Sequence, residues 1–186
     1  MSRLIVNQIQ GDAVSKEIEI PTGHKLIATD ASSIVSPGTP LQIATTKWYS
    51  NHDTTSTSFV VIDVTDSYLT FTPKRPDSKL YIQYHLHYYT RTGHLHGIKP
   101  YYNVASVGSD TALTSSSTFN EVTRVSNGNS GFVMWSMASF DFLVDMLGTG
   151  SEAITLKVYH RSSDGNSVRI NDNGPGSSIT VTEIAQ

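Results

Sequence analysis

Between Lys79 and Tyr89 the chain alternates without a break. Leu80, Ile82, Tyr84, Leu86 and Tyr88 fall on one side of an extended backbone, and Tyr81, Gln83, His85, His87 and Tyr89 fall on the other. A repeat of two residues marks opposite faces of one β-strand, with the apolar set turned toward a core. Thr90 to Gly93 then supply a polar stretch ending in glycine, and a second run follows over 94–104, so the two segments read as a hairpin.

The same rhythm continues on both sides of this pair. Strands are predicted at 41–49, 58–64, 68–72, 79–89, 94–104, 118–125, 132–144, 153–159, 167–170 and 178–184, separated by turn-forming clusters at 51–53, 73–78, 107–110, 127–131, 162–166 and 171–177. That many strands joined by loops predict an all-β jelly-roll sandwich over residues 41–186. The segment 132–144 is apolar on both faces, with Phe140 and Phe142 on one and Met137 and Leu143 on the other, which predicts that its outer face is covered by a neighbouring subunit. Phe140, Leu143, Val144 and Leu147 also fit a helical stripe, so a turn of helix there stays open.

Before Pro40 the strands are shorter, at 2–9, 16–20 and 24–28, and a Ser- and Pro-rich stretch from Ser32 to Pro40 follows them. Segments of this size do not close a core alone. Residues 1–40 must therefore pack on something else: they either lie on the main domain or, as copies from several chains wrapped together, form an anchor or stalk, and the Ser- and Pro-rich stretch that separates them like a linker favours the anchor.

Composition narrows the classes of function. Thirteen Lys and Arg stand against sixteen Asp and Glu, and only 16% of residues are charged, so no basic patch invites nucleic acid. The absence of cysteine excludes disulfides, thiol catalysis and thiolate metal sites. No apolar run approaches the roughly 18 residues of a membrane span, and the first residues lack a secretory leader, so neither membrane insertion nor export by that route is expected.

An enzyme needs a nucleophile with its base, paired carboxylates or an open metal. No Gly-x-Ser-x-Gly elbow, phosphate-binding glycine loop or His-Glu-x-x-His helix occurs, and catalysis is not expected. Two triplets, His85-Leu86-His87 and His94-Leu95-His96, are the most distinctive chemistry in the chain. In a hairpin with a loop of two or four residues, His85, His87, His94 and His96 emerge on one sheet face, where four neutral imidazoles form a candidate transition-metal site. A three-residue loop instead puts the pairs on opposite faces, and a polar surface strip with no metal is the competing reading; no other cofactor is expected. Tyr89, Tyr101 and Tyr102 are candidate stacking surfaces for a sugar, although tyrosine is also common in strands for packing. The Asx-rich loops 163–166 and 171–176 carry oxygens suited to calcium but lack the register of a calcium loop, and turn formation accounts for them.

Three further stretches carry a resemblance. They are Leu4-Ile5-Val6-Asn7-Gln8-Ile9 with 18–26 and 29–38 at the start, Leu69-Thr70-Phe71-Thr72-Pro73-Lys74 with Ser78-Lys79-Leu80-Tyr81-Ile82 in the middle, and Ser178-Ile179-Thr180-Val181-Thr182-Glu183-Ile184 at the close. In these the chain resembles phage virion appendages, in particular short tail-fibre proteins of marine and cyanobacterial phages, and its strand rhythm is similar to the trimeric jelly rolls of the complement-C1q and tumour-necrosis-factor type. The resemblance implies a homotrimeric virion component assembled in the host cytoplasm. Its N-terminal segment would contact other tail or capsid proteins, and its globular end would attach the particle to a host-surface glycan or protein. A capsid decoration, head fibre or tail adaptor with a purely structural role is the alternative.

Overall fold

The computed structural model describes residues 37–91, 95–113, 123–126, 133–148, 150, 152–172 and 174–186. The predicted anchor strands at 2–9, 16–20 and 24–28, and His94, lie outside the described residues.

Twelve strands are described: β1 (Pro40–Trp48), β2 (His52–Thr54), β3 (Val60–Val61), β4 (Leu69–Phe71), β5 (Lys79–Arg91), β6 (Leu95–Val104), β7 (Thr111–Ala112), β8 (Thr123–Ser126), β9 (Val133–Asp145), β10 (Ile154–Ser162), β11 (Val168–Ile170) and β12 (Ser177–Ile184). They form two six-stranded antiparallel sheets facing one another, a β-sandwich, and the described residues contain no helix. The first sheet runs β1-β12-β5, continues from β5 through β11 to β2, and carries β9 along the other edge of β5. The second centres on β10 and β6, with β3 and β4 beside β10 and β7 and β8 beside β6.

Alternation along β5 does what its pattern predicts. Leu80, Ile82, Tyr84 and Leu86 are wholly enclosed, as are Ile98 of β6, Ile154, Leu156 and Val158 of β10 and Ile179 of β12. Each such side chain contributes on the order of 2 kcal/mol of burial. The segment that also fitted a helical stripe is strand to Asp145, with Phe140 and Phe142 turned inward against Tyr84 at ring distances of 5.1 and 6.2 Å.

The hairpin expectation fails. β5 and β6 do not pair: β9 takes one edge of β5 and β12 and β11 take the other, while β6 lies between β10 and the pair β7 and β8. The chain passes from one sheet to the other after Arg91. Period-two alternation specifies a strand and its buried face, and says nothing of the partner that takes its edge.

A buried carboxylate holds one end of the sandwich. Glu183 follows Ile179 and Val181 on the inward face of β12, fully enclosed. Its oxygens accept from Gln42 Nε2 (2.7 Å), the backbone N–H groups of Lys74 (2.9 Å) and Arg75 (3.0 Å), and Ser78 Oγ (2.8 Å). Glu183 therefore ties the loop between β4 and β5 to the last strand through charge-assisted hydrogen bonds, and the buried Ser78 hydroxyl is among the donors it satisfies.

Glu183→Ala removes the common acceptor and leaves the loop donors and the buried Ser78 hydroxyl without it. Urea unfolding should show a loss of about 3 kcal/mol. A loss below about 1 kcal/mol would mean that the loop holds its shape without the carboxylate.

Candidate functional site

The histidine triplets part company in the structure. His85 and His87 lie on the outer face of β5, whereas His96 shares the inward side of β6 with Ile98 and is fully enclosed, with the Tyr88 ring edge-on at 5.9 Å. Of the four histidines read as one face, His85 and His87 stand on a strand of one sheet and His96 on a strand of the other, so these three do not share a face, and His94 is outside the described residues. His85 Nδ1 lies 2.9 Å from Ser139 Oγ on β9. His87 is half-buried beneath Gly174, whose position a Cβ would drive into the imidazole. Among the described residues no group of three or more His, Asp or Glu side chains is arranged to hold a metal ion.

The segment over His87 is one of the Asx-rich loops, and the side chains of Asn171 and Asp172 in it bond within the chain. Asn171 takes a positive φ of 62°, which asparagine tolerates better than most residues. Its backbone N–H donates to the His87 carbonyl, its amide donates to the Trp48 carbonyl at 3.0 Å, and it accepts from Ser177 Oγ at 2.6 Å. Asp172 pairs with Arg169 at 3.1 Å, and Asp164 accepts from Ser162 Oγ and the Asn166 N–H.

The three candidate tyrosines also separate. Tyr102 is inward and half-buried against the core. Tyr89 is only 8% exposed, with the Arg169 guanidinium 5.6 Å from its ring centre. Tyr101 alone joins a surface group, on the outer face of the second sheet.

That group is built by β6 and β10. Tyr101 sits opposite Lys157 and Lys99 opposite Tyr159 in register, so alternate cations and rings meet across the two strands. The Tyr101 and Tyr159 rings are 4.2 Å apart, Lys99 lies 5.5 Å from the Tyr101 centre and 5.7 Å from that of Phe59, and the Arg161 guanidinium lies 4.9 Å from Phe59. Asp110, from the loop before β7, fastens the arrangement. It accepts from Lys157 Nζ (2.8 Å) and Asn103 Nδ2 (3.0 Å) and from the Tyr159 hydroxyl.

These contacts set the ionisation of the patch. Burial opposes the charge on Asp110, but hydrogen bonds from Lys157, Tyr159 and Asn103 outweigh it and hold the carboxyl below its ordinary range. Burial and then the Asp110 bond raise the Tyr159 phenol. Tyr68, whose hydroxyl donates to Asp63 at 3.0 Å, is pushed up to about 12 by burial and by that bond. The result is a set of neutral rings, with the Tyr159 and Tyr68 hydroxyls fixed by Asp110 and Asp63, and two cations, Lys99 and Arg161, lying along the Tyr101 and Phe59 rings. The sequence marked Tyr101, but not Phe59, Tyr159 or Lys99. The signal lay in the β10 alternation, where Lys157, Tyr159 and Arg161 are the outward set between Ile154, Leu156 and Val158.

No protein-family model matches the chain, and no curated protein sequence matches it. Among solved structures, the chain is similar to the Gx strain of infectious bursal disease virus, at 15% identity over 88% of this chain with a TM-score of 0.48. It is also similar to the VP2 subviral particle of that virus (15%, 88%, 0.41) and to the Gt strain (16%, 88%, 0.40). The chain spans about 40% of the length of the first of these. At these values the likeness carries no functional weight.

Asp110→Asn tests the fastening. Because the Asp110 carboxyl is held below its unfolded value of about 3.9, its contribution is present at neutral pH and lost as pH falls through the folded value. The substitution should cost about 1 kcal/mol at pH 7 and less at about pH 3, below the unfolded value, in denaturant unfolding. An equal cost at both pH values would remove the charged form of Asp110 from the account.

Proposed function

We propose that the chain is a structural component of a phage virion, a short tail fibre or related appendage, which attaches the particle to the host surface through the outer face of the second sheet. The observation that carries attachment is the ring-and-cation patch of Phe59, Tyr101, Tyr159, Lys99 and Arg161. Sugars present apolar C–H faces to aromatic rings and hydroxyls or carboxylates to nearby donors, and this patch offers both on a rigid sheet. A glycan with anionic groups is the ligand class that suits Lys99 and Arg161. Weak binding at one such patch suffices, because several copies on one particle multiply it through effective concentration. The virion setting rests on the resemblance of the opening, middle and closing stretches to phage appendages.

A second reading, a capsid decoration, head fibre or tail adaptor, is favoured by the opposite face. On the outer side of the first sheet Ile43, Tyr81 and Leu143 lie in one cross-strand row with Thr182, and Ile43, Leu143 and Met137 are 67%, 61% and 55% exposed. Exposed apolar side chains in a row on a flat sheet suit packing against another subunit. Subunit packing through this face is compatible with both readings, which differ in whether the ring-and-cation face has a ligand.

Light scattering of the native chain should give about 61 kDa, three times the chain mass of 20.3 kDa. On a panel of acidic and neutral bacterial surface polysaccharides, the same sample should bind acidic members and lose at least about tenfold in affinity with Tyr101→Ala or Lys99→Ala. Trimeric mass with no polysaccharide bound would favour the purely structural reading, and a monomer would remove the subunit contact from both.

A further inference from the structure

Three histidines that face neither outer surface form a continuous chain through the end of the sandwich remote from Glu183. His52 stands on β2 of the first sheet, and His160 on β10 and His96 on β6 belong to the second. His52 Nδ1 is 2.7 Å from His160 Nε2, and His160 Nδ1 is 3.0 Å from His96 Nε2. His96 and His160 are completely enclosed, while His52 is half-buried. The two N···N contacts thus reach from the rim of one sheet to the interior of the other.

Proton counting fixes the state of this chain. Each contact requires one N–H and one lone pair, so three neutral rings, with one ring proton each, satisfy both contacts only when all three take the same tautomer. If the protons sit on Nε2, His96 donates to His160, His160 donates to His52, and the last N–H leaves at the half-exposed end. If they sit on Nδ1, the direction reverses and the N–H of His96 Nδ1 is left in the core, where that atom has no partner among the described residues. An orphaned buried donor is the more costly of the two, so the Nε2 arrangement is the ground state. Both nitrogens of His160 are engaged by rings on its two sides, which leaves no common point at which three lone pairs could meet a metal.

A fourth proton has no place in the closed chain. At Nδ1 of His52 or His160 it collides with an incoming N–H and breaks a contact. At Nδ1 of His96 it sets a charge inside the core. With every contact reversed, the charge rests on His52 but His96 Nδ1 becomes the orphaned donor. We propose that the His52–His160–His96 chain is an acid-sensitive latch between the two sheets, closed while neutral and forced open at this end when it takes up a proton.

The surroundings support that reading. Burial alone holds His96 down to about 3, and burial with the neighbouring rings holds His160 down to about 2; burial also lowers His52, against the opposing charges of Asp53 and Asp63. Asp53 is itself paired with Arg169 at 2.9 Å, Tyr88 presents its ring edge to His96 from β5, and Arg161 on β10 is turned to the outer face over Phe59. The element held by the latch is weak on its own. β2 is three residues long and pairs with three residues of β11, and Ser162 N–H to the Ser56 carbonyl is a further tie across the sheets. Short edge elements of this kind open at lower cost than the strands of the core.

The sign follows from linkage. Histidines that stay neutral when folded and charge when unfolded give stability that is complete above the unfolded value of about 6.5 and is lost as pH falls below it. Each excluded proton lowers the folded-to-unfolded ratio by up to about tenfold per pH unit. Melting of the full chain between pH 7.5 and 4.5, above the range in which carboxylates dominate, should show Tm falling with acid and recovering on neutralisation. Amide exchange at pH 5, corrected for intrinsic rates, should show lost protection concentrated in β2, β11 and the start of β6. The variant His160→Gln should flatten the fall in Tm, and His85→Gln, on the outer face, should not. Long-range nitrogen–proton spectra of the wild-type imidazoles at pH 7 should show His52, His96 and His160 all as the Nε2–H tautomer, a readout that needs no variant to fold. A Tm that is level to pH 4.5, acid-induced exchange spread evenly over both sheets, or rings already charged at pH 7 would overturn the latch. So would added zinc that raises Tm and shifts the His160 nitrogens, because the site would then be a metal centre.

Discussion

The structure depends on the enclosure of one face of β5. Leu80, Ile82, Tyr84 and Leu86 form a continuous apolar seam on a strand whose two edges are both occupied, by β9 on one side and by β12 and β11 on the other. A strand so placed cannot be slipped by one residue without turning its whole apolar set to water. The register of the first sheet, and the position of the second sheet that covers it, follow from that seam.

Apolar packing of this kind does not by itself close the two ends of a sandwich, where strands stop and loops begin. Here polar side chains on otherwise apolar inward faces stand at both. Glu183, opposite Leu80 in register, gathers the β4–β5 loop, and His96 and His160 meet beside Tyr88, eight residues further along β5 and so roughly 26 Å away. The carboxylate is satisfied by donors on every side and suits a permanent tie. The imidazoles are satisfied only in one protonation state, which is what distinguishes a latch from a tie.

Much of this was legible in the chain, and the reason differs from place to place. The strands at 79–91, 154–162 and 177–184 follow directly from alternation, because the residues on one face of each are buried and those on the other are more exposed. β2 and β7, of three and two residues, are too short to carry a period and left no such signal. Partners were the larger loss. The His-Leu-His triplets read as a hairpin because they are close in sequence, yet edge occupancy sent their strands to different sheets. His160 was readable in principle, since Ile154, Leu156, Val158 and His160 share one alternation and place an imidazole on an apolar face. Its contact with His52, more than a hundred residues away, was not.

The partition of the histidines between surface and interior is therefore the claim on which the fold, the separation of His96 from His85 and His87, and the latch all rest. It is tested most directly by brief carbethoxylation of the native chain at pH 7, followed by peptide mass spectrometry. The account predicts that His85 reacts readily while His96 and His160 are modified much more slowly. Comparable modification of His85 and His96 would contradict it, because the two triplets would then share an exposed face as a hairpin.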